Sequence, residues 1–371
     1  MRSKLIKIFT LLAALSLFAA ACSSEDGAST TEATTDTTTA SIETTEAGTD
    51  TTEATTEAGP TEVNIALILE TVLEEPFNAT FAQALDRAVE QRPHGVDVNY
   101  EVFENIAFAD AERVIRELAV SGKYDIIVAN SSFSDGISAV NEEFPDTLFS
   151  YSGGGNQGTG GNAYWFDAWV HDCTYLAGAA AAMMSETDTI GAVAAFPFAN
   201  INLLTNSYLE GARSVNPDIR FLVTYIESWF DPTTALEAAR AQIVTGADVI
   251  YGSSFGALDA AASAGVLGIG DFVNQEALYP DTVITSVLAK WDPAVAKLIN
   301  DWWEKETNGT PYAESDEVIG FLLAEGGCDL APWNEAIDIP EDVKTTIAEL
   351  REKIVNGEIV VEMNEAPTET R

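Results

Sequence analysis

The chain has 371 residues, 59 of them Asp or Glu against 18 Lys or Arg, for a formal net charge of −41. So large an acidic surplus leaves almost nothing to neutralise phosphates, which excludes nucleic acid and anionic lipid surfaces as partners. The two histidines, His94 and His171, stand at no ligand-like spacing from the three cysteines, so neither a metal centre nor a cofactor is expected.

In chain order, "MRSKLIKIFTLLAALSLFAAAC" joins Arg2, Lys4 and Lys7 to an apolar run that ends at Ala21, directly before Cys22. The run is short for a membrane-spanning helix and closes on small residues, which reads as a signal peptide over residues 1–21. Small residues before a cysteine resemble the bacterial lipobox, in which the cysteine carries the lipid; Ala19 stands where that box usually has Leu. Ordinary secretion with a chance cysteine is the alternative. Residues 22–62 then repeat Thr-Thr-Glu/Asp without an aromatic residue. Such a segment cannot bury enough apolar surface to offset chain entropy and is expected to be a disordered stalk. In an oxidising compartment the remaining pair, Cys173 and Cys328, favours a disulfide over two free thiols.

From Val63 onward apolar runs alternate with helical patterns. "VNIALILE", "VDVNYEVF", "YDIIVANS" and "TLFSYSG" read as strands. "FNATFAQALDRAVEQ", "FADAERVIRELAVSG" and a segment over 135–143 read as helices. The glycine-rich "SGGGNQGTGGN" leads into the strand-like "AYWFDA" and not into a helix, so it is a surface loop and no phosphate cradle. "WVHDCTYLAGAAAAMMS" is a small-residue helix suited to close packing. A second series follows, with strands "TIGAVAAFP", "RFLVTYIESW", "DVIYGSS" and "VLGIGDF"; the late strand "VITSVLA" and the helices "PAVAKLINDWWEKE" and "PEDVKTTIAELREKIVNG" could return to either lobe. In "ESWFDPTTALEAA", Asp231 is a good N-cap and Pro232 a good first helical residue, which puts the end of the preceding strand near Trp229. Alternating strand and helix argues for parallel βαβ units and two α/β lobes.

Ligands of such folds bind at the carboxyl ends of the strands. Those ends carry aromatics beside short polar side chains: Phe77-Asn78, Ser131 before Phe133, Phe196, Trp229-Phe230, Ser254-Phe255 and Asp271-Phe272. Asn206, in the helix after Phe196, joins the candidates. An apolar cleft with a few fixed polar groups is what a small ligand requires. Strand alternation would send only one of Trp229 and Phe230 inward. No Ser-His-Asp, Cys-His or metal constellation is present, so an enzyme is not expected.

Several stretches, in matching order over about Val63 to Glu358, resemble the BMP (basic membrane protein, PnrA-like) family of substrate-binding lipoproteins. They are "PFNATFAQAL", "YLAGAAAAMMS", "LEGARSVNPDI", "ESWFDPTTALEAARAQIVTGADVIYG", "GIGDF", "ITSVLAKWDPAV" and "IPEDVKTTIAELREKIVNGEI". The resemblance implies a type I periplasmic-binding-protein fold, two Rossmann-like lobes joined by three crossovers around an interlobe cleft. It implies ABC permease partners, a lipid anchor on the extracytoplasmic face of the membrane, and a purine nucleoside or related purine as ligand. Under it Trp229 would stack on the ligand, with Phe77 and Asn78 nearby. Asp271 would accept from ribose hydroxyls and Lys290 would donate to ribose or base. A different flat solute such as a flavin, or a signalling role for the same fold, are the alternatives. The expected division is 63–168 plus about 270–290 for the first lobe, 169–269 plus about 291–360 for the second, and an acidic tail over 361–371. The protein is expected to be a monomer.

Overall fold

The computed structural model describes residues 59–370. The leader, Cys22 and all but the last residues of the Thr/Glu segment lie outside the described residues.

The apolar run at the start of the folded region forms β1 (Glu62–Ile68), and α1 (Pro76–Gln91) follows it. β2 (Asp97–Phe103), α2 (Phe108–Ser121), β3 (Ile126–Ala129), α3 (Ser134–Ser138), β4 (Leu148–Ser152) and β5 (Ala163–Asp167) complete the first series. β3 and β4 are buried along their whole length, as parallel strands covered on both faces must be. The second series runs α4 (His171–Met184), β6 (Thr189–Ala194), α5 (Ala199–Val215), β7 (Arg220–Tyr225), α6 (Pro232–Val244), β8 (Val249–Gly252), α7 (Ala257–Ala264), β9 (Leu267–Gly270) and β10 (Val283–Ala289). The chain ends with α8 (Asp292–Asn308), β11 (Ile319–Gly320), β12 (Cys328–Leu330) and α9 (Glu341–Val355).

Two six-stranded sheets result, in the orders β11-β5-β4-β3-β1-β2 and β12-β10-β9-β8-β6-β7. All pairings are parallel except that of β10 with β12. The late elements divide differently from the expected boundaries. β10 pairs with β9 and so belongs to the second lobe, whereas α8 returns to the first. The cause is the apolar face of α8. Trp291, Ala294, Val295, Leu298, Ile299 and Trp302 pack with the core of β1, β2 and α1. Arg87 holds Asp292 with two bonds, and Trp291 Nε1 donates to Thr80 Oγ1 at 2.9 Å. β11 then extends the first sheet, and β12 with α9 completes the second lobe.

Three crossovers therefore join the lobes, at residues 168–170, 290–291 and 321–327. They lie side by side. The Lys290 N–H donates to Gly327 O at 2.9 Å, and the Leu323 N–H donates to an Asp172 carboxylate oxygen at 3.2 Å. The Cys173–Cys328 disulfide ties the start of α4 to β12, joining the second-lobe ends of the first and third crossovers.

α4 packs against α5 at backbone contact. A Cβ on Gly178 would lie 1.9 Å from Tyr208 O, and one on Gly211 would lie 1.8 Å from Tyr175 O. Only glycine permits that approach on both sides. The last residues do not hang free as an acidic tail. Val361 and Thr368 are buried, and Asn206 Nδ2 donates to the carbonyls of Asn364 and Ala366, both at 2.8 Å.

Candidate functional site

A cleft of about 750 Å³, counting its open mouth, lies between the carboxyl ends of the two sheets. From the first lobe it is lined after β1 by Glu70 and Thr71, at the start of α1 by Glu75, Phe77 and Asn78, and after β3 by Asn130, Ser131 and Ser132. Ser152, Gly153 and Gly154 follow β4. From the second lobe come Ala195, Asn200, Ile201, Trp229, Ser253 and Phe272.

The aromatic frame has a local cause at each ring. β7 ends at Tyr225, four residues before the expected end, because Glu227 takes a positive φ of 55° and turns the chain. Trp229 and Phe230 thus stand outside the strand, and alternation does not govern them. Trp229 faces the cleft, while Phe230 stacks on Phe255 at 5.7 Å. The N-cap is as expected, with Asp231 accepting from the Thr234 N–H at 3.0 Å. Phe196 stacks on Phe198 and meets the edge of Trp229, each at 5.0 Å, so it supports the ring from behind. Phe77 packs edge-on to Phe272 across the base of the cleft and to Trp291, at 5.5 and 5.7 Å.

Among the expected polar residues, Asn78 and Ser131 line the cleft. Asn78 is nearly buried, and its amide donates to Thr71 Oγ1 at 2.8 Å and Val72 O at 2.9 Å. Ser254 is buried beside the cleft with a hydroxyl that has no partner. Asp271 directly follows β9 with 2% exposure; Oδ1 accepts from the Phe272 N–H at 3.1 Å, and Oδ2 has no well-formed bond, although the Tyr251 and Ser253 hydroxyls lie near the carboxyl. Burial pushes its carboxyl up to about 7. Two of the expected contacts lie elsewhere. Lys290 sits in the second crossover with Nζ 3.9 Å from Asp329, and Asn206 is occupied by the C-terminal segment.

Sequence reasoning missed Glu70, Glu75, Asn200 and the start of the glycine-rich loop, which forms cleft wall and not open surface. The signal for Glu70 was a carboxylate ending an apolar strand run. Burial raises the carboxyls of both Glu70 and Glu75. Glu75 caps α1, accepting from the Phe77 and Asn78 N–H groups at 3.2 and 3.1 Å. On the facing wall Asn200 Oδ1 and Ser253 Oγ are buried without partners. Buried polar groups are nearly always bonded, so these two oxygens are open to a further partner.

A family profile described as ABC transporter substrate-binding protein, PnrA-like, matches residues 62–365. The chain is 31% identical over 271 residues to a purine-binding protein of Brucella abortus, covering 71% of this chain and 73% of that one. It is 33% identical over 286 residues to a Haloferax volcanii protein whose name provisionally assigns it to ABC-transporter glucose binding, covering 74% and 69%. An ABC transporter solute-binding protein from Conexibacter woesei superposes with a TM-score of 0.64 at 23% identity, over 82% of this chain and all of that one. The fold they share is the two-lobed type I solute-binding fold.

Proposed function

Because the chain belongs to the Bmp family of PnrA-like ABC transporter substrate-binding proteins, we propose that its cleft captures a purine nucleoside or related purine for delivery to a permease. The family's role is extracytoplasmic substrate binding and not catalysis, and its members bind small ligands and work with permease subunits. Beyond that, we propose that a lipid on Cys22 tethers this chain to the outer face of the membrane.

The observation that carries the purine reading is the pairing of Trp229 and Phe77, aromatic rings from opposite lobes that line one cleft. A flat heteroaromatic base stacked on an aromatic ring gains about 1–3 kcal/mol. Asp271 Oδ2, beside the cleft, and Ser253 Oγ, in its wall, hold free hydrogen-bonding capacity suited to ribose hydroxyls. The name of the Brucella relative agrees with this reading. A second reading, a sugar without a base, is favoured by the same unpartnered polar groups and by the name of the Haloferax relative. Closure of the two lobes about the three crossovers would bring both walls onto the ligand.

Titration of the purified protein with nucleosides, nucleobases, riboflavin and glucose, followed by calorimetry, tests this. Saturable purine binding is expected, with Trp229→Ala weakening it about tenfold or more. Glucose binding alone, unaffected by Trp229→Ala, would transfer the reading to a sugar.

A further inference from the structure

Side-chain bonding along the first-lobe wall of the cleft leaves one carboxylate oxygen uncommitted. Asn78 donates both amide hydrogens within the protein, and its Oδ1 accepts from Asn130 Nδ2 at 3.4 Å. Asn130 Oδ1 in turn accepts from the Ser152 hydroxyl. Glu75 uses both carboxylate oxygens on the first turn of α1, and Ser132 donates to Gly154 O. Ser131 donates to Glu70 Oε2 at 2.9 Å. Glu70 Oε1 accepts no bond among the described residues, and no Lys, Arg or His lines the cleft. The wall therefore offers a ligand an acceptor-only group.

We infer that Glu70 reads the base and selects guanine-type ligands, those with two adjacent N–H donors, over adenine-type ones. The inference rests on the purine reading above. A carboxylate has only acceptors when ionised. Guanine presents N1–H and the 2-amino group side by side, and both can point at one carboxylate. Hypoxanthine presents N1–H alone. Adenine presents the N1 lone pair, which faces the carboxylate with repulsion and leaves it unpaired. Hydrogen bonds to a charged group are the strong ones, and a site built around a donor discriminates sharply against a ligand that lacks it. Asn78, whose amide is the more obvious base reader, is already saturated and acts instead by fixing the loop that carries Thr71 and Val72.

Calorimetric titration of the protein with guanosine, inosine, adenosine and 1-methylguanosine tests the assignment. Affinities are expected in the order guanosine, inosine, adenosine, with roughly 10- to 100-fold between the first and last. Methylation at N1 removes one donor and should cost at least about tenfold. Glu70→Gln, which exchanges one acceptor for a donor, should bring guanosine and adenosine to within about threefold of each other. Glu74→Gln, at an exposed neighbour, should leave the ratio unchanged. Adenosine bound as tightly as guanosine by the wild type overturns the inference and leaves the purine reading intact. So does full tolerance of 1-methylguanosine, which needs no variant to fold. Absence of binding by every purine overturns both.

Discussion

At Asp271 the fold carries a carboxyl that is buried, half-bonded and without a cation. Its folded-state value, pushed up to about 7, lies above the ordinary carboxylate value of about 4. Between those two values the folded chain holds a proton that the unfolded chain has released, so this group's stability contribution falls as pH rises from about 4 to about 7. Asp271→Asn removes the charge and should stabilise the ligand-free protein at pH 8 by about 1–3 kcal/mol. The gain should shrink at pH 5, and affinity for a hydroxyl-bearing ligand should drop. Denaturant unfolding of both proteins at the two pH values is the measurement; equal stability at pH 8 would mean that Asp271 is accommodated as an anion. The position of Asp271 at a strand end could be read from "GIGDF", but its unpaired state could not. The sheet also brings the hydroxyls of Tyr251 and Ser253 alongside it, where they favour the charged form against burial. Trp229 was legible as a cleft ring for the same topological reason. Its orientation was not, because no propensity foretells a non-glycine residue, Glu227, at positive φ.

Among the elements, those with a full period or a strong cap could be recognised. α6 begins where Asp231-Pro232 places it, and α2 ends at Gly122 in the left-handed conformation. β11 and β12, two and three residues long, are too short to show any alternation. The lobe assignment of β10 and α8 was also hidden, since an apolar strand and an amphipathic helix fit either lobe equally well. The packing of Trp291, just before α8, and of the apolar face of α8 against the first-lobe core decides it. The small-residue character of α4 was visible, and the contact that explains it is the mutual approach at Gly178 and Gly211. Gly178→Ala must force the two helices apart and should cost about 1–3 kcal/mol. Gly211→Ala should cost a similar amount, and the double variant less than the sum, because both relieve into one widened contact. A double-mutant cycle of thermal unfolding reports this; full additivity would show that the helices give way independently.

For the whole molecule, the two lobes and the cleft between them followed from the βα alternation, and the family resemblance supplied the three crossovers. Among the described residues no helix is long and apolar enough to cross a membrane. The proposed anchor is instead a lipid on Cys22. Cys22→Ser should move the protein from the membrane fraction to the medium on cell fractionation, and unchanged partitioning would exclude a lipid on that residue.

The return of α8 and β11 to the first lobe also orders events in time. Until Trp291 and the helix after it are available, α1 lacks its covering partner, and until Ile319–Gly320 pair, β5 is an open edge. Such an edge is a template for mispairing. The first lobe, although encoded first, therefore cannot finish before the second series has been made, and the second lobe in turn waits for β12 and α9. The two lobes therefore mature as one, so a chain stalled near residue 290 would present two incomplete halves to proteases and chaperones rather than one folded domain and one nascent one.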